Sequence, residues 1–206
     1  MGERVAGTVR AYVGLGANVG DARVTLERAV ASLATLPGAR LVGVSPLYRT
    51  KPVGVRDQPD FLNAVVALDV APGTDPAAGA LDLLAALKVL EREAGRRVRR
   101  RWGPRELDLD LLLFGRHRIV ADRPPGTALA SAATDPGAAA RLLEVPHPSM
   151  RDRLFVLAPL ADLVPDLRPP GWSETVGAVR RRLGSDDPAA VVALASWDAD
   201  RRAWRG

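Results

Sequence analysis

Hydrophobic positions in this chain switch between two periods, and the switches outline its elements. Val9, Ala11, Val13 and Leu15 alternate with Arg10, Tyr12 and Gly14, the two-residue repeat of a half-buried strand, which Gly14-Leu15-Gly16-Ala17-Asn18 is expected to break. From Asp21 the spacing changes to three and four: Leu26, Ala29, Val30, Leu33 and Leu36 form one stripe of a helix closed by Pro37-Gly38. Leu41 to Tyr48 reads as a second extended segment and Arg49 to Asp60 as a loop. Phe61 to Val70 is a third strand, with Leu62, Ala64, Val66, Leu68 and Val70 on one face and Phe61, Asn63, Val65 and Ala67 on the other. Asp75-Pro76 caps and opens a second helix, buried through Leu83, Leu84, Leu87, Leu90 and Ala94 and stopped at Gly95. Leu107, Leu109, Leu111 and Leu113 then alternate with Glu106, Asp108, Asp110 and Leu112 in a fourth strand.

The resulting order, β-α-β-β-α-β, predicts an α+β protein with a ferredoxin-like antiparallel sheet, its helices on one face and the other face free for a ligand. Residues 122–140 are rich in Ala, Pro and Gly without either period and read as a surface insertion. Leu154 to Leu163 predicts a further helix. Arg180-Arg181-Arg182 reads as the solvated face of a C-terminal helix, and Ala189 to Leu194 as an added strand. One domain is expected over residues 9–163, with 164–206 an extension packed on it.

Composition narrows the function classes. The chain has 206 residues, enough for one core, and is 47% hydrophobic with 26% charged residues, the mix of a soluble protein. No apolar run approaches the roughly 20 residues of a membrane span, and no secretory signal pattern opens the chain, so a cytoplasmic protein without a membrane partner is expected. The absence of cysteine removes thiolate metal sites and cysteine nucleophiles, which leaves oxygen or histidine for any metal. A net charge of +5 points to an anionic partner. The basic residues concentrate in Arg96, Arg97, Arg99, Arg100 and Arg101, directly before Trp102-Gly103-Pro104-Arg105.

Asp108 and Asp110, two apart on a strand, leave the same face while the leucines go to the core. Adjacent carboxylates repel unless a cation lies between them, and a hard oxygen pair suits Mg²⁺ with phosphates completing the coordination. Asp-x-Asp by itself more often describes a solvated strand face. The arginines three residues upstream change that reading, because guanidinium groups bind phosphate oxygens in a planar two-pronged geometry. Asn63 offers donors and an acceptor to the edge of a heterocycle, or caps a turn, and Phe61 or Phe155 is able to stack on a ring. His147, in Val-Pro-His-Pro, suits a phosphate contact or a structural hydrogen bond.

Together these residues resemble the 6-hydroxymethyl-7,8-dihydropterin pyrophosphokinase family of folate biosynthesis. The resemblance rests on Gly14-Leu15-Gly16-Ala17-Asn18, Ser45-Pro46-Leu47-Tyr48-Arg49-Thr50, Asp57-Gln58-Pro59-Asp60-Phe61-Leu62-Asn63, Val145-Pro146-His147, and above all the run Arg101-Trp102-Gly103-Pro104-Arg105-Glu106-Leu107-Asp108-Leu109-Asp110. It spans about Val9 to Leu163. It implies transfer of pyrophosphate from ATP to the pterin hydroxyl with release of AMP, and two Mg²⁺ ions on Asp108 and Asp110. By the same resemblance Thr50, Pro52, Val53, Phe61, Asn63 and Phe155 shape the pterin slot. Lys88, Leu111, His147 and Arg153 fall on the ATP side, and Arg96, Arg105 and Trp102 act at the phosphates. The second loop arginine is Arg97 or Arg99, because Gly95-Arg96-Arg97-Val98-Arg99 departs from the usual Gly-Arg-x-Arg; Lys88 stands where glutamine is often found. The resemblance implies a monomer that takes ATP and the pterin as partners. A nucleic-acid partner is not expected, since Asp108 and Asp110 would place negative charge on the face an RNA-binding sheet uses.

Overall fold

A computed structural model of the chain describes residues 7–52, 57–95, 103–124, 140–184 and 191–206. Nine strands and four α-helices are present among them: β1 (Val9–Ala17), α1 (Ala22–Ala34), β2 (Arg40–Val44), β3 (Leu47–Thr50), β4 (Phe61–Val70), α2 (Pro76–Glu93), β5 (Asp108–Phe114), β6 (Ile119–Asp122), β7 (Arg141–Val145), α3 (Leu154–Leu163), α4 (Val176–Gly184), β8 (Val191–Asp198) and β9 (Ala203–Arg205). Seven of the strands make an antiparallel sheet ordered β5-β1-β4-β3-β8-β9, with β2 also on β4, and β6 pairs with β7. The caps follow the sequence. The Asp21 carboxylate accepts from Val24 N–H and opens α1, and the Asp75 carboxylate accepts from Ala77 and Ala78 N–H ahead of Pro76.

α1 and α2 cover one face of the sheet. Leu26, Ala29, Val30 and Leu33 of α1, with Ala80, Leu83 and Leu87 of α2, pack on Val13, Leu15, Ala64, Val66, Leu68 and Leu109. Each such side chain contributes roughly 1.5–3 kcal/mol, and truncating fully buried Leu26 or Leu87 to alanine is expected to cost about 2–5 kcal/mol.

Five expectations change. β1 does not break at Gly14 but runs to Ala17, because both of its neighbours continue the ladder: Gly14 lies opposite Val65 and Asp110, and Gly16 opposite Asn63 and Asp108. The second extended segment is two strands. Pro46 has no N–H to donate, and at the break Ser45 bonds Val65 twice, its N–H donating to Val65 O and its hydroxyl accepting from Val65 N–H, both at 2.9 Å. β3 extends through Thr50, so the following loop starts later than expected.

β5 carries a bulge. Val13 pairs with Leu111 but Tyr12 with Leu113, and the extra residue turns Leu112 and Leu113 together onto the face away from α1 and α2. Leu113 therefore leaves the leucine stripe in which the alternation puts it, and Phe114 returns to it. The second face of the sheet is also not wholly free. Tyr12, Val65, Ala67, Leu112 and Leu113 form a second core there with Met150, with Leu157 and Leu160 of α3 and with Val176 and Val179 of α4. Only the part of that face beyond this cover stays open. Within the expected insertion, residues 125–139 lie outside the described residues. Its flanks do not: β6 and β7 pair from Ile119↔Val145 to Asp122↔Arg141.

Candidate active site

The open part of the second face is a cavity of about 240 Å³. Its floor is β1, where Gly14 and Gly16 present no side chain. β5 supplies Asp108, Asp110 and Leu112 on one side of it; β4 supplies Phe61, Asn63 and Val65 on the other; Thr50 and Lys51 close the β3 end, and Arg153, Phe155 and Val156 come from the start of α3. Gly103 and Arg105 complete the rim. Register explains the layout. Gly16 pairs with Asp108 on one side and Asn63 on the other, so the carboxylate wall and the amide wall stand two strand spacings apart, roughly 10 Å. A side chain at Gly16 would intrude, since its Cβ would lie 3.0 Å from Asn63 Oδ1.

The two walls differ in chemistry. Asn63 is 7% exposed and donates through Nδ2 to Thr50 Oγ1 at 2.7 Å, which orients the amide and keeps Oδ1 beside Gly16. Phe61 and Phe155 line the same cavity, and the Arg153 guanidinium lies 5.8 Å from the Phe155 ring centre. Opposite them, Asp108 and Asp110 are half-buried with their intervening Leu109 in the core. No group of three or more Asp, Glu, His or Cys side chains is placed to hold a metal among the described residues. Two carboxylate oxygen donors without a protein cage match Mg²⁺, which retains water and takes phosphate oxygens as its remaining ligands.

His147 sits behind this wall, and its N–H donates to Leu112 O at 2.9 Å. Burial pushes its pKa below the usual histidine value, with Asp110 pulling the other way and Arg153 adding to the depression. Its Nδ1 accepts from Ser149 N–H at 3.3 Å, which assigns the proton of the neutral ring to Nε2.

The remaining expected residues divide. Thr50, Phe61, Asn63, Phe155, Arg105, Arg153, Asp108 and Asp110 all line one cavity. Pro52 follows Lys51 but is not part of the wall. Leu111, expected near the nucleotide, is buried in the core under α1 and α2, and Leu112, on the face of Asp108 and Asp110, lines the cavity instead. Lys88 is engaged in the fold: its Nζ donates to Glu91 Oε1 at 2.7 Å and to Leu109 O at 3.0 Å. Arg96, Arg97, Arg99, Trp102 and Val53 lie outside the described residues.

Two residues that the sequence reading passed over organise the site. Asn18, 4% exposed, donates to Gln58 Oε1 and Pro59 O and accepts from Arg105 N–H at 2.8 Å, tying the segment before β4 to the arginine segment before β5. Glu91 is buried and accepts from Leu109 N–H at 2.7 Å, which satisfies the outer edge of β5 beside the carboxylates. Its signal was visible: a glutamate four residues after Leu87, in the buried stripe of α2.

Comparison with known proteins adds the family. The profile described as 7,8-dihydro-6-hydroxymethylpterin-pyrophosphokinase (HPPK) matches residues 12–165. A 2-amino-4-hydroxy-6-hydroxymethyldihydropteridine pyrophosphokinase from Pseudomonas aeruginosa is 45% identical over 163 residues, 78% of this chain and 84% of that protein. The Bacillus subtilis protein of the same name is 39% identical over 153 residues, 74% of this chain and 77% of its own length. Among solved structures, Plasmodium falciparum HPPK-DHPS with pterin and p-hydroxybenzoate superposes with a TM-score of 0.66 at 16% identity, covering 95% of this chain and 48% of that one. That likeness is one of fold, and this chain spans about half the length of that longer protein.

Proposed function

Because the chain belongs to the 7,8-dihydro-6-hydroxymethylpterin-pyrophosphokinase family, we propose that the cavity over Gly14 and Gly16 is its active site and that each wall takes one substrate. The enzyme is a pyrophosphokinase, a diphosphotransferase of folate biosynthesis, with ATP as its co-substrate. The observation that carries the site assignment is the pairing of Gly16 with both Asp108 and Asn63, which gives one slot a carboxylate end and an amide end.

In this reading the pterin lies between Phe61 and Phe155, and Asn63, held by Thr50, reads its edge. The hydroxymethyl oxygen then points toward Asp108 and Asp110. That oxygen attacks the β-phosphorus of ATP; the bond from the β-phosphorus to the α-β bridging oxygen breaks, the hydroxyl proton passes to solvent, and AMP leaves with the bridging oxygen. Asp108 and Asp110 would hold two Mg²⁺ ions, which supply neutralisation of phosphate charge when bound. Arg105 and Arg153 are cations on the cavity wall, suited to the transferred group without proton transfer. His147 is neutral at pH 7 and offers Nε2–H as a donor. The remaining roles at the phosphates are assigned to Arg96, Trp102 and either Arg97 or Arg99, as the family resemblance implies. Leu111 reaches the nucleotide only through its backbone on the edge strand, and Lys88 acts by fixing Leu109.

The strand order β5-β1-β4-β3, with α1 and α2 on one face, supports a ferredoxin-like frame, and residues 9–163 are read as the catalytic unit with 164–206 packed on it. We take the enzyme to act as a cytoplasmic monomer without a nucleic-acid or membrane partner. No described helix is long and apolar enough to cross a membrane. The test is product identity. Incubation with Mg·ATP and 6-hydroxymethyl-7,8-dihydropterin is expected to release AMP in step with pterin diphosphate; ADP or inorganic phosphate as the product would overturn the reading.

A further inference from the structure

The family match ends at residue 165, yet the chain beyond it converges on one strand of the active site. β3 is only four residues long, too short to hold a fixed position as a free edge strand. It is not free. β8 pairs along its whole length, from Leu47↔Ala195 to Thr50↔Val191, while its other side pairs with β4 through Tyr48↔Asn63 and Thr50↔Phe61.

Two further contacts hold this strand and the break that precedes it. Trp204, fully buried, donates from Nε1 to Ser45 O at 2.8 Å and from its backbone N–H to Glu27 Oε1 at 3.1 Å, with the Trp197 ring edge-on at 4.8 Å. Arg180 of α4 is not the solvated residue its sequence suggests. It donates to Asp162 Oδ1 at 2.7 Å and to the Tyr48 hydroxyl at 3.2 Å, and that hydroxyl donates to Asp162 Oδ2 at 2.5 Å. Ser45, Tyr48 and Thr50 are thus each held from the C-terminal segment. On the cavity side, the same short stretch holds Val65 through the Ser45 hydroxyl and orients Asn63 through the Thr50 hydroxyl.

We propose that residues 166–206 position the pterin wall of the active site, with Trp204 and Arg180 as positioning residues that act through β3 on the Thr50–Asn63 pair. The proposal rests on the assignment of that wall to the pterin. It separates the two substrates, because the carboxylate wall on β5 lies on the other side of β1, at the opposite end of the strand order from β8 and β9.

The experiment is steady-state kinetics of the full chain with Trp204→Phe, which keeps an aromatic in the core but removes the N–H donor, and with Arg180→Ala and Arg180→Lys. Trp204→Phe and Arg180→Ala are expected to raise KM for the pterin about fivefold or more, a loss of about 1 kcal/mol of binding. KM for ATP and kcat are expected to stay within about twofold, and Arg180→Lys to recover most of the loss by keeping a cation on Asp162. Equal rises in both KM values, or a lower Tm with unchanged pterin KM, would overturn the proposal. Arg180 is partly exposed, so its variants keep the test available if Trp204→Phe does not fold. Hydrogen exchange separates this inference from the functional reading. Faster exchange confined to peptides covering 45–52 and 61–63 supports positioning even if the wild type releases no AMP, whereas a uniform rise across β1, β4 and β5 overturns it.

Discussion

The amide wall and the carboxylate wall face each other across two glycines and are stabilised in opposite ways. Asn63 has its amide bonded to Thr50, its strand paired on both sides and a second layer of contacts behind β3. Asp108 and Asp110 stand on the outermost strand of the sheet, whose far edge is satisfied by Glu91, Lys88 and the backbone of His147. The amide wall is preorganised for a neutral, flat ligand, which gains affinity when no side chain has to be ordered on binding. The carboxylate wall places two acidic side chains two residues apart on one strand face, a like-charge pair suited to a cation with phosphates. One wall is finished by folding and the other by its substrate.

Removing a carboxylate tests that contrast most severely. Asp110→Ala is expected to lower kcat on the order of 1,000-fold, since the stabilisation of phosphoryl charge lost is several kcal/mol. Stability without ligand should be unchanged or slightly higher, because one of two adjacent anions is gone. Thermal melts with and without Mg·ATP check this. The wild type should gain Tm with the nucleotide and the variant should not; a variant that keeps both its rate and its nucleotide shift would refute the role given to Asp110.

The amide wall should respond in the other parameter. Asn63→Ala is expected to lower kcat/KM for the pterin roughly 10- to 100-fold, the range for losing buried polar recognition, with KM for ATP nearly unchanged. It should also lower stability by about 1 kcal/mol, because the Thr50 hydroxyl loses its donor. Gly16→Ala tests the same wall more gently. The added Cβ would meet Asn63 Oδ1 at 3.0 Å, so the amide has to shift by a few tenths of an ångström; a pterin KM about three- to tenfold higher is expected, from a strain of about 1 kcal/mol. A normal pterin KM in Gly16→Ala would mean that the carbonyl position is not read.

Periodicity revealed most of the frame, because α1, α2, β1 and β4 are each buried on one face and their stripes record it. It failed where one residue breaks the count. The β5 bulge moves Leu113 out of the leucine stripe and brings Phe114 into it, and no spacing rule marks which residue is the extra one. Ser45-Pro46 splits a strand through a hydroxyl that replaces ladder bonds, a local substitution that proline hints at and only the partner strand reveals. Asp108 and Asp110 were legible because a strand fixes which residues share a face. Asn18 and the Tyr48–Asp162–Arg180 cluster were not, since each joins elements from 18 to 132 positions apart and their polar residues carry no period. Arg180 shows the cost: one of three consecutive arginines is structural, and the run alone does not say which.

That cluster gives the smallest and most local test, and it asks whether the amide wall is braced by a buried phenol. Burial pushes the Tyr48 hydroxyl up to about 12, reinforced by its bond to Asp162 and opposed by Arg180. The folded state therefore holds this proton more tightly than the unfolded chain, whose tyrosine titrates near 10. The resulting stability is fully present below about pH 10 and is lost as pH rises through about 12. Tyr48→Phe is expected to be about 1 kcal/mol less stable at pH 8, through the lost hydrogen bond, and to lose stability less steeply between about pH 10 and 12. Denaturant melts at several pH values measure the slope, and tyrosinate absorbance should show a step near pH 12 in the wild type that is missing from the variant. If the two proteins lose stability in parallel, the phenol is solvated and does not brace β3. If only the alkaline slope changes while pterin KM stays put, the brace is carried by Trp204 and the β8 ladder, and the contrast between the walls narrows to backbone pairing.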